Sequence, residues 1–233
     1  MTVRRRLFDL TRRLSNRLFG PELMHRSGLV RGLWAGWRRI VEAFSPAYRR
    51  QARFERENPE APWLVPAAIP FIERELRAEM RGLEWGAGRS TLWLARQGLT
   101  LVSIEGRRSW RDKVAAWLQR DGLAARVSLP VVDVLRDHGV DPGTIDAYAS
   151  APKGFVPPAF DVVLVDGHFR SACLRRVPTL LAPGGLLIVD NAEVADVRDQ
   201  IARLAPHRIG DFDNGIWLTH VYRAPAEGLP PLD

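Results

Sequence analysis

Residues 84–91 read EWGAGRST. A short apolar run, RGLEW at 81–85, precedes them, and a helical pattern over 90–97 follows. Strand, glycine turn and helix in that order make half of a βαβ unit, with a loop suited to a nucleotide-type ligand. Gly86 and Gly88 let the backbone turn tightly and approach a ligand with no Cβ in the way. Ser90 or Thr91 can cap the helix. The dinucleotide fingerprint places a third glycine three residues after the second. Thr91 stands there instead, which weakens a reading as an NAD-dependent oxidoreductase. A tight turn with no ligand is the plain alternative.

Outward from this loop, short apolar runs alternate with helical patterns. Strands are expected at 81–85, 100–105, 126–132, 160–166, 185–190, 207–211 and 216–222, and helices at 67–80, 90–97, 108–120, 170–181 and 193–204. That order predicts an α/β, Rossmann-like fold: a mostly parallel seven-stranded sheet with helices on both faces. Only Asp213-Asn214-Gly215 separates the last two strands. Asn-Gly is a hairpin signal, so the sheet is expected to end in an antiparallel hairpin. Residues 137–158, rich in Gly, Pro, Ala and Asp, read as an irregular insertion on the side where ligands sit.

Four acids, Glu84, Glu105, Asp133 and Asp166, fall at successive strand ends and would line one acidic crevice. Glu105 lies 17 residues after Gly88. A carboxylate there can accept hydrogen bonds from two ribose hydroxyls. Asp133 could accept from an adenine amino group, and Glu84 could meet a ligand ammonium. Taken singly, each acid is also what a solvated strand end looks like.

Together, EWGAGRST, VSIEG (102–106), FDVVLVDG (160–167) and LLAPGGLLIVDN (180–191) resemble the ordered motifs of class I S-adenosylmethionine-dependent methyltransferases. The resemblance covers about residues 64–223. The segment VDGHFRSAC (165–173) further resembles a bacterial subgroup with EWGxGxST and DGxFRxAC-type motifs, typically close to DGRFRVAC; His168 stands where that form has Arg. The resemblance implies S-adenosyl-L-methionine as cofactor. Its sulfonium would lie near the Gly86–Gly88 loop and Asp166, with Glu84 in that loop and Ser90 opening the helix after it. Its ribose would meet Glu105 and its adenine Asp133. The closing hairpin is the feature that separates this fold from NAD-binding domains. The implied chemistry is an in-line methyl displacement, in which positioning supplies much of the rate.

An oxygen nucleophile also needs to lose a proton. Asp166, Asp190 and Asn191 look like the three Mg²⁺ ligands of catechol-type O-methyltransferases, and oxygen-only ligands suit that ion. The lysine that family places near the first ligand is absent; Gly167-His168-Phe169-Arg170 follows Asp166 instead. A capping pair at a helix start is the plain reading of Asp190-Asn191. His168 is the second candidate, because imidazole titrates near neutrality and can act as a base without metal. Arg170 could hold an anionic substrate, or could pair with Asp166 or Asp190. Cys173 reads as a small buried hydrophobe. Trp110 could flank the adenine ring.

The whole chain has 233 residues, 46% apolar and 26% charged, which excludes wholesale disorder and suits one α/β domain with an appendage. A single cysteine excludes an intrachain disulfide and argues against a Cys-based zinc site. No apolar run is long enough to span a bilayer, and the N-terminus lacks an apolar signal core, so a cytoplasmic location is expected. The net charge of +7 is uneven. Residues 1–56 hold 14 Arg against Asp9, Glu22, Glu42 and Glu55, a balance of +10, whereas the remainder carries 20 basic and 23 acidic residues, a balance of −3. An acidic domain disfavours nucleic acid and suits a sulfonium.

Residues 1–56 therefore read as a basic amphipathic helical extension, with apolar stripes over 3–19 and 28–44. A linker at 57–63 leads into the domain at 64–233, and the polar stretch 47–62, with Pro59 and Pro62, has the character of a linker. The extension could pack on the domain or on a second copy of the chain. It could also hold the protein peripherally on an anionic membrane. The expected reaction is O-methylation of a small-molecule or saccharide hydroxyl. Alternatives are RNA or protein methylation, and a non-catalytic cofactor-binding fold serving as a membrane-associated partner.

Overall fold

A computed structural model describes residues 45–134, 142–152 and 159–232. The stripes at 3–19 and 28–44, and His138, lie outside the described residues. Two compact units result: one contains the first described helix with Asn214–Ile216, and the other comprises residues 58–213 and 217–233.

The first unit corrects one expectation. Pro46–Glu57 is a helix (α1), not part of a polar linker. Opposite charges and amides at i,i+4 support it: Arg53 Nε donates to Glu57 Oε1 at 2.7 Å, and Gln51 Nε2 to Glu55 Oε1 at 3.1 Å. Such pairs add a few tenths of a kcal/mol each, about 0.2–0.5.

The second unit holds α2 (Ala68–Glu75), β1 (Arg81–Trp85), α3 (Arg89–Arg96), β2 (Thr100–Ile104), α4 (Arg108–Arg120), β3 (Val127–Ser128), α5 (Pro142–Ala149), β4 (Phe160–Val165), α6 (Arg170–Leu180), β5 (Leu181–Asp190), α7 (Arg198–Leu204), β6 (Arg208–Asp213) and β7 (Leu218–Arg223). The sheet order is β3-β2-β1-β4-β5-β7-β6. The first four neighbouring pairs are parallel; β7 runs antiparallel between β5 and β6. The mixed seven-stranded sheet and its terminal hairpin are as the sequence implied.

Several boundaries differ for local reasons. The third strand shrinks to two residues because Pro130 has no N–H to donate; one bridge, Glu105 to Val131, resumes the pairing beyond it. The helix expected over 67–80 stops at Glu75, and a turn with Glu79 at φ 71° leads into β1. The insertion before β4 contains the helix α5. The helix expected over 193–204 is a 3₁₀ turn, Ala195–Val197, followed by the seven-residue α7.

Strand alternation sorts the sheet's two faces. Leu83 and Trp85, Val102 and Ile104, Val163 and Val165, and Leu187 and Val189 are all buried in one cluster with Tyr148, Cys173, Leu174 and Val177. The intervening residues, Glu84 and Ser103 among them, point to the other face, where α3 packs. Each fully buried Leu, Val or Ile contributes about 1.5–3 kcal/mol. Strand order reverses direction between β1 and β4, which opens a crevice at their carboxyl ends.

Candidate active site

The loop after β1 and the loop after β4 meet at that crevice. Gly86 sits at φ +102°, and an added Cβ would come 2.7 Å from both Gly167 N and Gly167 Cα. Asp166 N donates to Trp85 O at 3.0 Å, and Gly86 N to Ile104 O at 2.8 Å. Gly86 is thus required by the protein itself, to let two loops touch. Gly88 is different. Its φ is −177°, and a Cβ built there meets nothing within 4 Å among the described residues.

Glu84 does not line the crevice as expected. Alternation turns it toward α3, and it is completely buried. Ser90 Oγ donates to its Oε1; Thr91 Oγ1, at 2.5 Å, and Ser103 Oγ donate to its Oε2. Burial pushes its carboxyl up to about 7, the three hydroxyls pull against that shift, and Asp166 adds to it. A caged carboxyl with both oxygens engaged braces the loop rather than meeting a ligand ammonium. Thr91 also accepts the Gly88 N–H at 2.9 Å, so its hydroxyl ties loop to strand. This is the N3 half of a capping box, in place of the simple cap expected from Ser90 or Thr91.

The remaining acids lie at strand ends. Glu105, 4% exposed, follows β2. Its Oε1 accepts the Arg107 N–H at 2.8 Å, and burial raises its carboxyl against that bond and the Arg107 charge. Asp133 follows the Glu105–Val131 bridge, where Val134 N donates to Gly106 O at 3.0 Å; it is half-buried. Trp110 donates its indole N–H to Ala87 O at 2.8 Å, pinning it to the glycine loop, and stacks on Trp63 at 6.0 Å.

Asp166, Arg170 and Asn191 come together. Arg170 Nη2 donates to Asp166 O at 2.7 Å, Asp166 Oδ1 at 3.0 Å and Asn191 Oδ1 at 2.9 Å. Asp190 joins a different set: Thr219 Oγ1 donates to its Oδ1 at 2.6 Å and accepts the Val65 N–H at 3.1 Å. Burial raises both aspartates; Arg170 opposes the shift at Asp166, whereas the Asp166 charge adds to it at Asp190. These contacts give the Mg²⁺ reading no support. Two of its three oxygens already face a guanidinium, and the third faces a hydroxyl. Among the described residues, no group of three His, Cys, Asp or Glu could hold a metal ion. Asn191 sits at φ 51°, a conformation its type tolerates, and its carbonyl accepts the Val194 N–H.

His168 is half-buried at the crevice. Its ring packs edge-on to Tyr148 at 6.0 Å and so tightly on Gly106 that a Cβ there would lie 2.7 Å from His168 Cδ2. No protein hydrogen bond engages its ring nitrogens among the described residues. Burial, then the charges of Arg107 and Arg170, hold it below the ordinary imidazole value, so it is neutral at neutral pH. Phe169 takes the left-handed conformation, φ 50° and ψ 43°, at the start of α6. That costs about 1–2 kcal/mol, which its contact with the Tyr148 ring at 5.8 Å helps to offset. Cys173 is fully buried with its thiol pushed upward, as expected of a core residue.

Sequence reasoning missed Ser103 and the bracing role of Thr91. It also missed Tyr148, whose buried hydroxyl lies against Gly167.

No protein-family model matches the chain, and no curated protein matches it. Solved structures do. A methyltransferase-like protein from Silicibacter pomeroyi DSS-3 superposes with a TM-score of 0.52 at 23% identity, over 71% of this chain and 90% of that one. An S-adenosylmethionine-dependent O-methyltransferase from Thermotoga maritima gives 0.51 at 16% identity, over 73% and 70%. In other matches, such as the [4+2]-cyclase SpnF with a TM-score of 0.38 at 20% identity over 53% of this chain, the chain spans only 43% of the partner's length. The fold is thus that of the class I methyltransferases. No described helix is long and apolar enough to cross a membrane.

Proposed function

We propose that this chain is an S-adenosylmethionine-dependent methyltransferase acting on a hydroxyl of a small molecule or saccharide, with His168 as the base. The observation that carries the reading is Gly88. Among the described residues nothing requires glycine there, so the space its missing Cβ leaves suits a ligand lying against the backbone. Glu105, at the end of β2 with its Oε1 on Arg107 N, is the carboxylate offered to a ribose diol. Asp133 stands at the adenine end.

The cofactor supplies a methyl group on a sulfonium, which a nucleophile displaces in line. The chain's part is to orient and to move a proton. Arg170 fixes Asp166 and Asn191 at the transfer end of the crevice. His168, neutral and with no hydrogen bond to its ring nitrogens among the described residues, accepts the acceptor's hydroxyl proton.

Calorimetry tests this reading. S-adenosylhomocysteine binds the wild type, and Gly88→Ala loses that binding with melting temperature unchanged. Binding of NAD in its place, with neither S-adenosylmethionine nor its demethylated product bound, refutes the reading.

A further inference from the structure

The misfit of the metal reading has a positive content. We propose that Arg170 is the resident cation of this crevice and keeps divalent metal out of the Asp166, Asp190 and Asn191 oxygens. One guanidinium nitrogen, Nη2, lies within hydrogen-bond reach of side-chain oxygens on both Asp166 and Asn191, at 3.0 and 2.9 Å. A Mg²⁺ bridging those atoms would need them at about 2.0–2.1 Å, in the space that nitrogen fills. One oxygen of the third residue is also engaged, since Asp190 Oδ1 is bound by Thr219, itself tied to the backbone at Val65.

The arrangement is built by the chain locally. Arg170 follows Asp166 by four residues and opens α6, and Phe169 in the left-handed conformation sets the angle at which that helix starts. The Arg170 side chain is 18% exposed and that of Asp166 24%, so the pair is partly desolvated and more tightly held than a surface pair. A guanidinium stays charged throughout the accessible pH range. The positive charge is therefore part of the fold and independent of metal supply. Methyl transfer at this site then proceeds without a divalent ion. That last clause rests on the proposed function; the exclusion of metal does not.

The test is a Mn²⁺ titration of the full chain, read by the relaxation of water protons, with no substrate present. Wild type shows no saturable site up to roughly 1 mM, and Arg170→Ala gains one, which Asp190→Asn added to it removes. Should the alanine variant fail to fold, Arg170→Gln, which is neutral but keeps an amide donor for Asn191, shows the same gain. A saturable site in wild type that Asp190→Asn abolishes overturns the proposal, as does a folded Arg170 variant that gains nothing. S-adenosylhomocysteine binding in the same samples reports separately on the methyltransferase reading. Its failure beside an intact Mn²⁺ result removes that reading alone.

Discussion

Glu84 should make the stability of this fold fall as pH rises. Its carboxyl is fully buried and raised to about 7 by desolvation, three hydroxyl bonds notwithstanding. In the unfolded chain a glutamate titrates near 4.3. A carboxyl with the higher value in the folded state holds its proton longer there. Folding is therefore favoured at low pH and loses ground between about pH 4.3 and 7. At 1.36 kcal/mol for each unit, the full change is roughly 3–4 kcal/mol, complete above pH 7. Glu84→Gln keeps the shape and still has an oxygen for a hydroxyl, but cannot ionise. Urea unfolding of wild type and variant, followed by tryptophan fluorescence from pH 4.5 to 8, gives the difference free of other titrating groups. The wild type should lose about 3 kcal/mol relative to the variant over that range, most steeply near pH 6. Parallel curves for the two proteins would refute the assignment of a buried, high-titrating carboxyl to residue 84.

Other outcomes follow from the same geometry. Thr91→Ala removes a hydroxyl that serves Gly88 N and Glu84 together and should cost about 1–3 kcal/mol in chemical unfolding, with Thr91→Ser recovering most of it. Gly86→Ala forces a side chain at φ +102° against Gly167 and should destabilise by about 2 kcal/mol or more, read as a lowered melting temperature. His168→Ala should lower kcat by roughly 10²–10⁴-fold while calorimetry shows unchanged S-adenosylhomocysteine binding. The rate of the wild type should fall on its acidic side below the ordinary imidazole range, and that limb should vanish in the variant.

The fold was legible because its signals are local. The glycine loop, the alternation of strands with helices and the Asn214-Gly215 turn each act over a few residues. The α3 and α4 boundaries fell within one residue of expectation for the same reason. Charge pairing at i,i+4 in Pro46–Glu57 was equally local, but its polarity read as a linker. The site was harder because it depends on register. Glu84 pairs with Ser103 across β1 and β2, and only that alignment brings the third hydroxyl to the carboxyl. Residue types at 166, 190 and 191 were right for a metal, yet nothing in the pattern tells which cation occupies the space. Arg170 was visible as a partner of Asp166; its simultaneous hold on Asn191 required β4 and β5 to lie side by side.

The contrast between Gly86 and Gly88 bears on how this chain can drift. Gly86 is constrained by the touching of two loops, so any descendant that still folds must keep it or rebuild Gly167. On the proposed function, the constraint on Gly88 would come from the ligand and not from the protein. A lineage that abandoned its ligand, and kept the fold for another purpose, would be free to fill that position with any small side chain. If the proposed function holds, the residue at 88 would work as a fossil clock: glycine there would mark a line still under selection for the ligand, and its replacement beside an intact Gly86 one that has been released.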